Sequence, residues 1–134
     1  MQKFLADAQE FLPILMQGVA LTIVLTIGSL VLSTLLGLVW ALMRVSGITA
    51  LDKGATLFVN FIRGVPIIVQ LFYIYFVLPD LGITLTAMQA AIIGLGIAYS
   101  AYHSENFRAG IEAIDHGQIE AAQSIGMGLS LIHI

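Results

Sequence analysis

The chain has 134 residues, 59% of them hydrophobic and only 10% charged, with a formal net charge of -3. Soluble globular domains carry about 25% charged residues, so this composition excludes an ordinary water-soluble domain, and so small and scattered a charge excludes a nucleic-acid surface. With no cysteine in the sequence, a disulfide framework and a thiolate metal site are excluded as well.

Three long uncharged runs organise the sequence: Phe11–Met43, Gly64–Pro79 and Leu81–Ser104. A helix needs about 20 mostly apolar residues to cross a bilayer, and the mean hydropathy is +1.00. The expected fold class is therefore an all-α integral membrane protein with three transmembrane helices. The first span is expected from about Pro13 to Met43, the second from about Thr56 to Leu78 and the third from about Thr86 to Phe107. The first run is too long for a signal-peptide core, follows Asp7 and Glu10 and lacks an obvious cleavage site, so it reads as a retained span. Thr86 and Gln89 make a capping-box pattern where the third span begins. Basic residues collect on the cytoplasmic side of membrane proteins. Arg44 and Lys53 lie between the first two spans, Arg63 sits early in the second and Arg108 follows the third, against only Lys3 on the opposite side. The N-terminus is accordingly expected outside the cell.

The first span carries a stripe of small and hydroxyl residues: Gly18, Thr22, Thr26, Ser29, Ser33, Gly37 and Ala41. The third repeats it with Ala87, Ala91, Gly94, Ala98 and Ala101. Lipid gives helices no hydrophobic reason to associate, so close approach along small residues is a main source of packing energy. The same spacing then reaches Glu105, Arg108 and Glu112, a ladder that serves either mutual neutralisation or a role near a solute path.

The second span holds the residues least at home in lipid. Pro66 cannot donate to the carbonyl of Ile62 and biases Val65 away from helical geometry, and Gly64 adds freedom just before it. A helix broken at membrane depth is tolerated only where it is buried in protein or lines a cavity. Asn60, Arg63 and Gln70 fall within about a quarter of the helix circumference at roughly 3.6 residues per turn. Arg63 either snorkels to the cytoplasmic interface or contributes to a polar lining or a clamp on the opened backbone.

Catalytic patterns are absent. His103 and Glu105, separated by one residue, fall on different helix faces, and His116 and His133 have no partners at ligand spacing. Neither a zinc-protease motif, a nucleophile elbow nor a phosphate-binding loop occurs. An ATP-driven role would require another chain to bind the nucleotide.

After the third span the sequence turns polar: "DHGQIEAAQSIG", residues 115–126. Asp115 and Gln118 form a helix-start pattern, and Gly126 suits a helix end. Ile119, Ala122 and Ile125 make an apolar edge. Such a helix could lie on the membrane or fill a groove in a partner, and the small residues at 121 and 122 suit close docking.

"EAAQSIG", Glu120 to Gly126, resembles the Glu-Ala-Ala-x-x-x-Gly core of the loop in binding-protein-dependent ABC importer permeases. "FIRGVPIIVQLFYIYFVLP", Phe61 to Pro79, is similar to the second-span signature of the polar amino acid branch, and Ala101 to Met127 to its third span and loop. The resemblance covers residues 10 to 128; Val65 stands where threonine is common, and His103 and Ser104 replace more apolar residues. It implies a partial importer transmembrane domain over residues 1–134, cut short before the last two of five helices and unable to form a pore alone. It implies a bacterial inner-membrane permease subunit for polar amino acids, paired with an identical or similar permease subunit. A solute-binding protein would meet the outer face near Asp80–Leu85. Partner ATPase subunits would bind the ATP, leaving this chain without a cofactor of its own. Gly117, Glu120, Ala121, Ala122 and Gly126 become the ATPase-docking residues, and Asn60, Arg63, Gly64, Pro66, Gln70 and Glu105 the candidates for the solute path or helix break. The alternative is a non-transporting membrane scaffold or assembly subunit.

Overall fold

In the computed structural model, residues 2–114 and 116–128 are described. Helix α1 spans Gln2–Val45, with Pro13 inside it rather than at its start. A short turn follows, in which Gly47 adopts the left-handed region at a φ of 72°. The Ser46 hydroxyl donates to the Met43 carbonyl at 2.8 Å and accepts from the Ile48 N–H at 3.2 Å, which covers backbone groups left bare at the helix end. Helix α2 spans Thr49–Gly64 and α3 spans Ile67–Phe72. The chain continues through a π-helical turn, Tyr73–Val77, and a 3-10 turn, Leu78–Leu81. Helix α4 spans Ala87–Glu112, and α5 spans His116–Ser124. The capping box at α4 is formed: the Gln89 N–H donates to Thr86 Oγ1 at 3.3 Å, and the Thr86 N–H donates to Gln89 Oε1 at 3.0 Å.

Helix α4 is the axis of the bundle, packed against α1 along one side and against α2, α3 and the π-turn along others. What is buried is small. On α1 it is Ser29, Ser33, Gly37 and Ala41; on α2, Ala55 and Val59. On α4 it is Ala90, Gly94, Gly96, Ala98, Ser100, Ala101 and Ser104. A Cβ on Gly37 would lie 2.6 Å from the His103 Cβ and 3.0 Å from the Ser100 carbonyl oxygen. A Cβ on Gly94 would meet Leu71 at 2.5 Å, and one on Gly96 would meet Leu32 at the same distance. Helix backbones here touch almost directly, as packing in lipid requires. The opposite face of α1, with Leu21, Ile27, Val31 and Leu35, is more than half exposed. A face of this kind suits hydrocarbon and not water.

The structure refines three sequence expectations. The second span starts at Thr49 and not near Thr56, and it carries the expected break: it stops at Gly64 and resumes at Ile67 with a bend of 99°. The Pro66 ring and the extended Val65, at φ -101° and ψ 128°, enforce that break. By length and apolarity, Phe11–Val45 and the bent pair Thr49–Gly64 with Ile67–Leu81 qualify as membrane spans among the described residues. The third expected span is present as a helix but falls short of that requirement, being diluted by Gln89, Ser100, His103 and Ser104. Lastly, only the second half of the α1 stripe is packed. Gly18, Thr22 and Thr26 are exposed, and the Thr22 hydroxyl donates back to the Gly18 carbonyl.

The glycine contact yields a paired test. Gly37→Ala should force α1 and α4 apart at a cost of about 1–3 kcal/mol, read as a lower thermal unfolding midpoint in detergent. Gly54 lies within α2 with nothing near its Cβ position, so Gly54→Ala should gain roughly 0.5–1 kcal/mol from helix propensity alone. Equal midpoints for the two variants would show that the α1–α4 contact is not tight.

Candidate functional site

The helix break is held by one side chain. Pro66 leaves the Ile62 carbonyl without its helical donor, and the Gln70 Nε2 amide turns back to supply one at 2.8 Å. The same nitrogen donates to the Val65 carbonyl at 2.9 Å. Ordinary α-helical bonding resumes with the Gln70 N–H on the Pro66 carbonyl at 3.2 Å. Gln70 is thus a surrogate for the missing proline N–H. Inside the bend lies a cavity of about 390 Å³ lined by Phe61, Val65, Val69, Gln70, Tyr73 and Ile97, among others. Among the described residues, no charged side chain lines it.

The expected sharing of one face by Asn60, Arg63 and Gln70 does not survive the bend. Asn60 stays exposed on α2, Gly64 ends that helix in open space, and Gln70 belongs to α3. Arg63 turns to Glu105 on α4 and places its guanidinium carbon 5.5 Å from the centre of the Tyr102 ring.

Glu105 is the meeting point of three helices. Its Oε1 takes Arg63 Nη1 from α2 and Arg44 Nη1 from α1, each at 3.0 Å. Its Oε2 takes Arg108 of α4 itself, through Nη2 at 3.0 Å and Nε at 3.2 Å. Arg108 also pairs with Glu112, whose side chain is otherwise half exposed, so the ladder's last rung faces outward. The limbs differ in weight. The Arg44 side chain is 11% exposed and the Arg63 side chain 41%. The Arg63 limb is therefore a screened contact of about 0.2–1 kcal/mol. The Arg44 limb compensates a nearly buried charge, and removing such a partner costs more. Arg44 was counted from the sequence only as a loop charge, yet it continues the α1 stripe three residues beyond Ala41.

Helix α5 projects beyond this cluster. Gly126, at a φ of 78°, ends it. The Gly126 N–H donates to the Gln123 carbonyl and the Met127 N–H to the Ala122 carbonyl, each at 3.0 Å, which is a Schellman closure. Gly117, Glu120 and Ala121 are exposed, and Ile119 and Ala122 are half-buried. Ile125 is 74% exposed, so the expected apolar edge is open at its end. Asp115, the proposed helix start, and His133 lie outside the described residues.

A long apolar helix, a bent companion and a projecting capped helix define a helical membrane protein with no metal-binding cluster among its described residues. Residues 33–132 match the family described as binding-protein-dependent transport system inner membrane component, and the chain belongs to that family. It is 41% identical over 123 residues to the probable amino-acid ABC transporter permease protein y4tG of Sinorhizobium fredii (strain NBRC 101917 / NGR234), covering 92% of this chain and 53% of the relative. It is 40% identical over 119 residues to the L-cystine transport system permease protein TcyB of Bacillus subtilis (strain 168), covering 89% and 51%. A crystal structure of an amino acid ABC transporter with histidines superposes with a TM-score of 0.83 at 37% identity, over 95% of this chain and 59% of that one. The chain spans about half the length of the curated relatives it matches. Family membership makes it an inner-membrane component.

The Gln70 bridge can be isolated by a mutant cycle. Gln70→Leu should strand the Ile62 and Val65 carbonyls and cost about 1–3 kcal/mol. In a Pro66→Ala background the alanine N–H can reach Ile62, so the same substitution should cost less than half as much, measured by thermal unfolding. Equal costs in both backgrounds would show that Gln70 does not replace the proline donor.

Proposed function

We propose that this chain is the membrane-embedded part of a permease subunit of an ATP-driven importer of polar amino acids. The observation that carries the reading is α5: a short, closed helix projecting from a bundle of apolar helices, with small residues on its exposed surface. The relatives named above are amino-acid permeases, which supports the substrate class. In this reading α4 crosses the membrane sheltered by its neighbours, and a second permease subunit completes the path with the helices found in longer relatives. A solute-binding protein delivers substrate at the outer face. Separate ATPase subunits bind ATP and hold α5 in a surface groove, so that their closure moves it as a rigid lever. The docking residues are Gly117, Glu120, Ala121, Ala122 and Gly126. The candidate solute path follows the cavity inside the bend, where Gln70 keeps the backbone open.

Ala121 is exposed and Ala122 half-buried, so Ala121 is the cleaner docking probe. In the full-length permease, Ala121→Arg should leave membrane abundance normal while abolishing ATPase co-purification and uptake, since each 1.4 kcal/mol is about tenfold in affinity. A helix merely resting on anionic lipid would tolerate the added arginine, so retained ATPase and normal uptake would defeat the docking reading. A scaffold would show no ATP-dependent uptake even when unmodified.

The same reading puts the N-terminus outside the cell and α5 inside. A cysteine introduced by Leu81→Cys, at a position 68% exposed, should react with an impermeant label applied to intact cells. One introduced by Gln123→Cys should not. The opposite pattern would invert the orientation and separate α5 from a cytoplasmic ATPase.

A further inference from the structure

Among the described residues, the ion pairs that join one helix to another all end on Glu105. We propose that Glu105 is a releasable latch, the positioning residue through which movement of α5 is passed to α1 and α2. The proposal rests on the reading of α5 as the ATPase-docking helix.

Three observations carry it. The first is connectivity. α5 follows α4 after a short link, so a displacement of α5 is delivered to the C-terminal end of α4, where Glu105 and Arg108 lie within the last two turns. The second is geometry. One carboxylate oxygen holds both Arg44 of α1 and Arg63 of α2, while the other is fixed by Arg108 on the same helix. Rotation or sliding of α4 therefore pulls on two helices through a single atom. Because three cations share one carboxylate, one limb can leave while the other two still neutralise it.

The third observation is incomplete satisfaction. Arg44 reaches Glu105 through Nη1 alone, at 3.0 Å from Oε1. Arg44 Nε, the Trp40 indole N–H and the Ser104 hydroxyl are buried without a hydrogen-bond partner among the described residues. Trp40 and Arg44 are one turn apart on α1, and Ser104 adjoins Glu105 on the helix that packs against it. Native structures leave few such groups unpaired. A permanent clamp would saturate them; a joint with two positions leaves donors that find acceptors only when α1 shifts along α4.

The test uses the full-length permease with its ATPase and solute-binding protein in proteoliposomes, measuring amino acid taken up per ATP hydrolysed. In Glu105→Gln the ATPase should remain bound and ATP hydrolysis should persist, while uptake per ATP falls about tenfold, within the range typical of coupling between sites. An unchanged ratio overturns the latch, including the case in which abundance, hydrolysis and uptake fall together, as a purely structural role requires. Should Glu105→Gln fail to accumulate, Arg63→Gln carries the test, because that side chain is 41% exposed and its removal leaves Glu105 two other cations. A lowered ratio there supports the latch and an unchanged one overturns it. The two readings separate cleanly. If the α5 reading is at fault, the ATPase stays bound to Ala121→Arg. If only the latch is at fault, Ala121→Arg releases the ATPase while Glu105→Gln transports at the unmodified ratio.

Discussion

Helices α1 and α4 meet so closely at Gly37 that the His103 Cβ and the backbone of Ser100 and Ser104 occupy the space a side chain would need. The charged end of the molecule follows from that approach. Arg44 lies two turns beyond Gly37 on α1, and Glu105 directly follows the contact segment on α4. Backbones held this near leave a guanidinium and a carboxylate no distance to cross. In hydrocarbon the attraction between helices comes from contact and from polar groups rather than from excluded water. Gly37 and Glu105 thus act in sequence: the glycine permits the approach, and the carboxylate charges for departure.

A second constraint shapes the rest. Backbone carbonyls cannot be left bare in lipid, so a proline inside a span needs a substitute donor. Gln70 provides it without straightening the chain. The resulting bend lets one stretch of sequence embrace α4 at two levels. Ala55 and Val59 are buried towards the charged end, while Leu71 and Ile74 close over Gly94 further along. An unbroken helix would have had to choose one of these contacts.

Much of this was legible in the sequence, and the failures have physical causes. Composition and run length gave the membrane class; Pro66 and Gly64 marked the break; Thr86 and Gln89 marked the start of α4. The face shared by Asn60, Arg63 and Gln70 was wrong because it assumed helical phase across a residue already known to interrupt it. Arg44 was missed because topological counting treats an arginine as a label for a compartment and ignores its phase on the stripe. Gly96, Ser100 and Ser104 were missed because a single stripe was sought on α4, whereas a central helix is buried on more than one side. The upper part of the α1 stripe was over-read, since small residues are common in membrane helices whether or not anything packs on them. Where Asp115 sits relative to α5 lies outside the described residues.

The sequence contains a single tryptophan, and the fold sets it at the joint between α1 and α2. Its ring stacks on Phe58 at 4.4 Å between centroids, with the planes 31° apart. Its N–H is buried without a partner among the described residues, one turn from Arg44. Indole emission shifts with the polarity and hydrogen bonding of its surroundings. The chain therefore carries an intrinsic optical gauge at the point where its helices are tied together, and a solution of this polypeptide reports on that joint without any label being attached.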